Sequence, residues 1–204
     1  MKIDKKKETA KMYTVDHNYI GYLSVYDNKV MHNKAGRPYV GIVYEINCFY
    51  YFAPLTSLKT KKKQGKQIPK DDLTFQLLEQ GKYGGIHIGN MVPVPENCLQ
   101  YFDFNKSRSQ SIKDALQNEY RAILKVWPKV RKKANQLYEL SGKTLSELTS
   151  SERSIRSRCC NYKLLEQKCK EYEETILCQS SEPAIVDNSL ICVQNNVSLL
   201  RWDN

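Results

Sequence analysis

Residues 50 to 63 run Tyr50-Tyr51-Phe52-Ala53-Pro54-Leu55-Thr56-Ser57-Leu58-Lys59-Thr60-Lys61-Lys62-Lys63, an aromatic stretch that opens into hydroxyls and lysines. Pro54 has no N–H to give to a ladder. Strand pairing is therefore expected to stop there, leaving Thr56, Ser57 and Lys59 on a polar turn at the sheet margin. Two hydroxyl donors and one ammonium so close together suit a phosphate group. The same residues also make ordinary surface turns, so the motif takes its meaning from the elements around it.

Those elements begin with a lysine-rich lead-in, residues 1 to 11, before a short strand at Met12-Tyr13-Thr14-Val15. Asp16 offers an N-cap oxygen, and Tyr19, Ile20, Leu23 and Tyr26 recur at helical spacing, which predicts a short amphipathic helix over 17–27. A tyrosine there faces either the core or a site. Gly36 and Pro38 break the loop that follows, and Arg37 stands immediately before the strand Tyr39 to Ile46. Asn47-Cys48 turns this strand into Phe49 to Leu55. Hairpin geometry then puts Arg37 and Thr56 at the same end of the sheet.

Lysines 59, 61, 62, 63, 66 and 70 fall in a stretch without an acid, either a solvated loop or an electrostatic funnel beside a phosphate site. Residues 71–80 read as a short helix or a strand. Strands follow at 84–88, 91–94 and 98–104, and so many short strands suggest a small, strongly curved barrel. His87 lies in an alternating strand and reads as a packed or hydrogen-bonded structural residue.

From Ser111 the period becomes helical. Leu116, Tyr120, Ile123, Leu124 and Trp127 trace one face, Pro128 kinks or restarts the helix, and Val130, Ala134, Leu137 and Tyr138 continue it. Arg121, Lys125, Lys129, Arg131, Lys132 and Lys133 lie away from that face. Between residues 106 and 143 there are ten basic and three acidic residues, an imbalance that suits a nucleic-acid-facing helix. A second long helix is expected over 151–175, with Cys159 and Cys169 among its core positions. Beyond 177 the period is lost, and 177–204 reads as an appended tail after one domain spanning 12–176.

The chain has 204 residues, with Lys+Arg 32 against Asp+Glu 22 and a formal net charge of +10. That balance favours a polyanionic partner and does not separate RNA from DNA. Seven cysteines without a Cys-x-x-Cys pair or an apolar leader argue for free thiols in a reducing cytoplasm. The three histidines do not fall at ligand spacing with them, so no metal and no cofactor is expected. No apolar run approaches the ~20 residues of a membrane span.

Taken together, the ordered pieces resemble the ToxN/AbiQ family, the endoribonuclease toxins of type III toxin-antitoxin and abortive-infection systems. The resemblance covers about residues 12–175. It rests on Tyr13-Thr14-Val15, Tyr19-Ile20-x-Tyr22-Leu23, Arg37-x-Tyr39-Val40-Gly41-Ile42-Val43 and Ala53-Pro54-Leu55-Thr56-Ser57-x-Lys59. It continues in Asn90-Met91-Val92-Pro93-Val94 and Cys160-Asn161-Tyr162-x-x-Leu165-Glu166-x-Lys168.

The resemblance implies an α+β fold, a compact antiparallel barrel like that of the Kid/MazF toxins (SH3-like) elaborated by long helices. It further implies metal-free cleavage of single-stranded mRNA by 2′-hydroxyl attack, leaving a 2′,3′-cyclic phosphate. The implied partner is a small repeated RNA antitoxin in a closed hetero-oligomeric assembly. Carried over by position, the catalytic hydroxyls fall on Thr56 and Ser57, the turn lysine on Lys59, an aromatic hydroxyl on Tyr19 and the strand-leading base on Arg37. The family pattern has lysine near that last place. Arginine clamps phosphate bidentately but transfers protons poorly, and Lys34 is the alternative. Lys34, Lys61, Lys62, Lys63 and Lys66, with the helical Arg121, Lys125, Lys129, Lys132 and Lys133, are the expected RNA contacts. The competing reading is a non-catalytic RNA-binding barrel, in which the aromatics and lysines form a stacking platform. A DNA-binding regulator would need a helix-turn-helix, for which there is no convincing candidate.

Overall fold

The computed structural model describes residues 10–32, 38–56, 73–77, 84–103 and 109–181. Seven strands form one antiparallel sheet: β1 (Lys11–Val15), β2 (Pro38–Ile46), β3 (Phe49–Thr56), β4 (Thr74–Gln76), β5 (Gly85–His87), β6 (Val92–Pro93) and β7 (Leu99–Tyr101). Four helices accompany it: α1 (His17–Tyr26), α2 (Gln110–Gly142), α3 (Ser150–Arg158) and α4 (Tyr162–Ser181). The order is β4-β5-β3-β2-β1-β7, with β6 also paired to β3.

The expected barrel is not what these strands build. Among the described residues the sheet is open, with edges at β4 and β7, which do not pair. Each edge strand is three residues long, too short a ladder to carry the sheet around to closure.

The centre of the sheet is β3. One of its edges pairs with β2 through a tight turn in which Asn47 (φ 47°) and Cys48 (φ 69°) are both left-handed, the conformation that two-residue hairpins require. The other edge is shared by β6, at Tyr51 and Phe52, and β5, at Leu55 and Thr56. Between those pairings β3 has Ala53 and Pro54, while its partner has residues 87–91, part of them coiled into a 3₁₀ turn over Ile88–Asn90.

Pro54 accounts for this detour. Val94 N donates to Tyr50 O at 3.0 Å, and backbone polar groups alternate between strand edges, so Pro54 offers this edge a position without an N–H. Pairing therefore does not end at Pro54 as expected: the partner loops out, and β3 continues to Thr56. On the opposite side Gly41 faces Phe52 so closely that a Cβ there would lie 2.0 Å from the ring Cδ1. Phe52 is fully buried, so Gly41→Ala is expected to destabilise the fold by about 3 kcal/mol, checked by denaturant titration.

The helices pack on this frame for equally local reasons. Asp16 Oδ1 accepts from Asn18 N (2.8 Å) and Tyr19 N (3.0 Å), capping α1, whose Tyr19, Ile20 and Leu23 are buried. α2 runs unbroken through Pro128, which lies on the exposed side, where its ring has room and water can reach the carbonyl it leaves free.

The single helix expected over 151–175 is two. α3 starts at a reciprocal cap: Thr149 Oγ1 accepts from Glu152 N (3.2 Å), and Glu152 Oε2 accepts from Thr149 N (2.8 Å). The chain breaks after Arg158 because tertiary partners claim its backbone. Cys160 N donates to Gly89 O (2.9 Å), and Asn161 N donates to Asp27 Oδ2 (2.6 Å). Asn161 Oδ1 then accepts from Leu164 N and opens α4. That helix extends to Ser181, past the residue at which the tail was expected to begin.

Buried Glu166 fastens α4 to the sheet. Its Oε1 accepts from Tyr51 Oη (2.9 Å) and Tyr138 Oη (2.6 Å), and its Oε2 from Lys163 Nζ (3.2 Å). Three donors compensate a carboxylate that would otherwise be costly to bury. Cys98, Cys159, Cys160 and Cys169 are buried free thiols, the core placement expected of Cys159 and Cys169, although Cys159 lies in the break between the helices. Among the described residues no helix is long and apolar enough to cross a membrane.

Candidate active site

Thr56 is the last residue of β3, and β2 begins at Pro38, one residue before Tyr39, which pairs with Pro54. The two strand ends therefore meet at one end of the sheet, as hairpin geometry required. Of the turn and loop residues expected here, Arg37, Ser57, Lys59, Lys34, Lys61, Lys62, Lys63 and Lys66 lie outside the described residues.

Thr56 itself is buried, at 6% exposure, and its Oγ1 has no hydrogen-bond partner among the described residues. A buried hydroxyl left unsatisfied costs about 1–3 kcal/mol, a burden that a native fold carries where a ligand or water completes the bond. Opposite Thr56 stands Gly85. Side chains of paired residues share a face, and residues two apart along a strand share it too, so Thr56 shares a face with His87 of β5 and Thr74 of β4. His87 Nδ1 and Thr74 Oγ1 are 3.1 Å apart, and both residues are buried.

Tyr19 is placed differently from the aromatic hydroxyl of a site. It is wholly buried, its Oη donates to Pro93 O at 2.7 Å, and its ring meets Tyr172 edge-on at 4.9 Å. Burial, reinforced by the neighbouring Cys169, pushes its pKa well above the ordinary phenol value. Such a group packs α1 against α4 and β6. It is poorly suited to accept a proton near neutrality.

The α2 cations expected to contact RNA divide in two. Arg121, Lys125, Lys129 and Lys132, spaced four, four and three, form one exposed stripe opposite the buried Ile123, Trp127, Val130, Ala134 and Leu137. Their span is about 16 Å at 1.5 Å per residue. None of the four meets a carboxylate among the described residues. Lys133 stands apart, half-buried in the groove between α2 and α3 with Glu139, Lys143 and Glu152.

The pairing of His87 with Thr74, on the face that Thr56 shares, is absent from the linear pattern. His87 is buried and hydrogen-bonded, as its place in an alternating strand implies, but its partner is not legible because β4, which brings Thr74 to it, is too short to show a period. A sequence signal is the Gly84-Gly85 pair at the start of the strand, which leaves no side chain opposite Thr56.

The open antiparallel sheet backed by a long helix is a fold that solved structures share. A model for "Toxin ToxN, type III toxin-antitoxin system" matches residues 11–170, and the chain belongs to that family. It is 28% identical over 178 residues to endoribonuclease ToxN of Bacillus thuringiensis subsp. kurstaki, covering 82% of this chain and 87% of that one. Among solved structures it is similar to a toxin of a type III system described as selectively inhibited by a non-coding RNA pseudoknot. That match has TM-score 0.71 and 27% identity, over 81% of this chain and 99% of the other. It is also similar to AbiQ, a lactococcal anti-phage endoribonuclease of the type III class, with TM-score 0.65 and 25% identity over 81% and 99% of the two chains.

Proposed function

We propose that the chain is an endoribonuclease toxin that cuts single-stranded mRNA and is held inactive by a structured, repeated RNA antitoxin in a closed assembly, acting in the cytoplasm against phage. The observation that carries the chemistry is the buried, unpartnered Thr56 hydroxyl at the point where the Thr56-Ser57-x-Lys59 run begins. In this reading the 2′-hydroxyl attacks the adjacent phosphorus and the 5′-oxygen leaves, giving a 2′,3′-cyclic phosphate and a 5′-hydroxyl. Lys59 and Arg37 neutralise charge on the phosphoryl oxygens, while Thr56 and Ser57 hold the phosphate in line. With Tyr19 committed to Pro93, the polar turn and the strand end carry the site. The lead-in and the residues after α4 are additions to this toxin domain. Incubating the purified chain with an mRNA transcript and identifying the fragment ends tests the reading. Uncut RNA, or 3′-hydroxyl ends, would overturn it.

The chemistry asked of the site is positioning and charge neutralisation. Among the described residues no group of three or more His, Cys, Asp or Glu is placed to hold an ion. Cleavage is accordingly expected to proceed at an unchanged rate in excess EDTA. A rate that collapses with chelator and returns with magnesium would contradict the metal-free mechanism.

A further inference from the structure

The cleavage site as read from the turn has hydroxyls and cations but nothing assigned to steer the hydroxyl of Thr56. We propose that His87, braced by Thr74, is a positioning residue for Thr56 in RNA cleavage. This rests on the proposed function, since it assigns a supporting group to the site that function requires.

The argument is one of register and burial. Thr56 pairs with Gly85, and His87 is two residues further along β5, so the imidazole is the diagonal neighbour of Thr56 on the same face. Diagonal neighbours lie about 7–8 Å apart at Cα, within reach of an aromatic ring. Gly85, directly opposite Thr56, contributes no side chain that could stand between them. Thr74 pairs with His87 from the other side, and its hydroxyl is 3.1 Å from Nδ1, which limits rotation of the ring.

Three polar side chains on one buried face are unusual in a sheet, and the neighbouring pair Leu55 and Ile86, on the opposite face, is apolar. Burial of polar groups is tolerated when they are ordered for a purpose, and here the outermost of them ends with an unpartnered oxygen. An imidazole fixed at Nδ1 restricts the rotamers open to Thr56 and so aims its hydroxyl at the strand end, where the scissile phosphate would lie. Such a residue acts on the rate of the bound complex more than on binding.

The test is a double-mutant cycle on the full chain, with kcat and KM measured on an oligoribonucleotide spanning a cleavage site mapped on an mRNA transcript. His87→Leu is expected to lower kcat about 10-fold with little change in KM, and to cause no further loss in a Thr56→Ala background. Thr74→Val should act in the same direction and show the same non-additivity. It decides the matter if His87→Leu fails to fold, as judged by thermal melting. Equal losses in both backgrounds, or no loss, would make the pair purely structural and overturn the inference while leaving the role of Thr56 intact. A Thr56→Ala variant that cuts like the parent would remove the site itself and the inference with it.

Discussion

Ser57→Ala and Lys59→Ala are each expected to abolish detectable RNA cleavage and cellular toxicity while leaving the melting temperature near that of the parent. The site has to bring a ribose hydroxyl, a phosphorus and a leaving oxygen into line and to neutralise the developing charge. Each preorganised donor in such a site is worth about 10²–10³ in rate. Lys59 contributes a full charge, so its loss should fall at the upper end of that range or beyond. Thr56→Ala should fall near the lower end, because a hydroxyl that holds the phosphate is missed less than the charge that stabilises it. The measurement is multiple-turnover cleavage of an mRNA transcript beside a thermal melt. Retained cutting by both Ser57→Ala and Lys59→Ala would remove the turn from the chemistry.

Much of the frame that carries this turn was legible because its determinants are local. Asp16 caps α1 through amides two and three residues away, Asn47-Cys48 turns β2 into β3, and the apolar spacing from Ile123 to Leu137 states which face of α2 is buried. Misreadings occurred where the deciding partner is distant in sequence. The helix expected over 151–175 breaks because Asn161 N is claimed by Asp27, 134 residues away. Tyr19 reads as facing either the core or a site, and what places it in the core is Pro93 O, 74 residues on, which accepts from its hydroxyl. Pro54 is a defect in the ladder, but a proline disrupts one edge only, so pairing does not stop there and the consequence falls on the partner strand, which coils at Ile88–Asn90. Barrel closure depends on edge-to-edge pairing, about which strand count is silent. The same limit hid the Thr74–His87 pair, since β4 exists only through its pairing with β5.

Antitoxin binding is expected to be strongly salt-dependent, and α2 is expected to account for a defined part of that dependence. Arg121, Lys125, Lys129 and Lys132 form a stripe without carboxylate partners among the described residues, so their counter-charge comes from solution ions until a polyanion displaces them. If about six to ten phosphates are contacted in all, affinity should fall roughly 10³- to 10⁵-fold between 50 and 200 mM salt. Each stripe cation that meets a phosphate contributes about 0.7–0.9 to the slope of log K against log salt, so neutralising all four should flatten it by about 3. Lys133 gives an internal control. It lies in the groove with Glu139 and Glu152, so Lys133→Gln should leave the slope nearly unchanged. The substitutions should also spare cleavage of a short oligoribonucleotide, because the proposed site for the scissile phosphate is the end of β3 and not the helix. The check is a salt titration of binding to the RNA antitoxin, comparing the parent, the four-fold variant and Lys133→Gln. Equal slopes for parent and four-fold variant would place the RNA on another face. A flattened slope for Lys133→Gln alone would move the path of the RNA into the groove between α2 and α3.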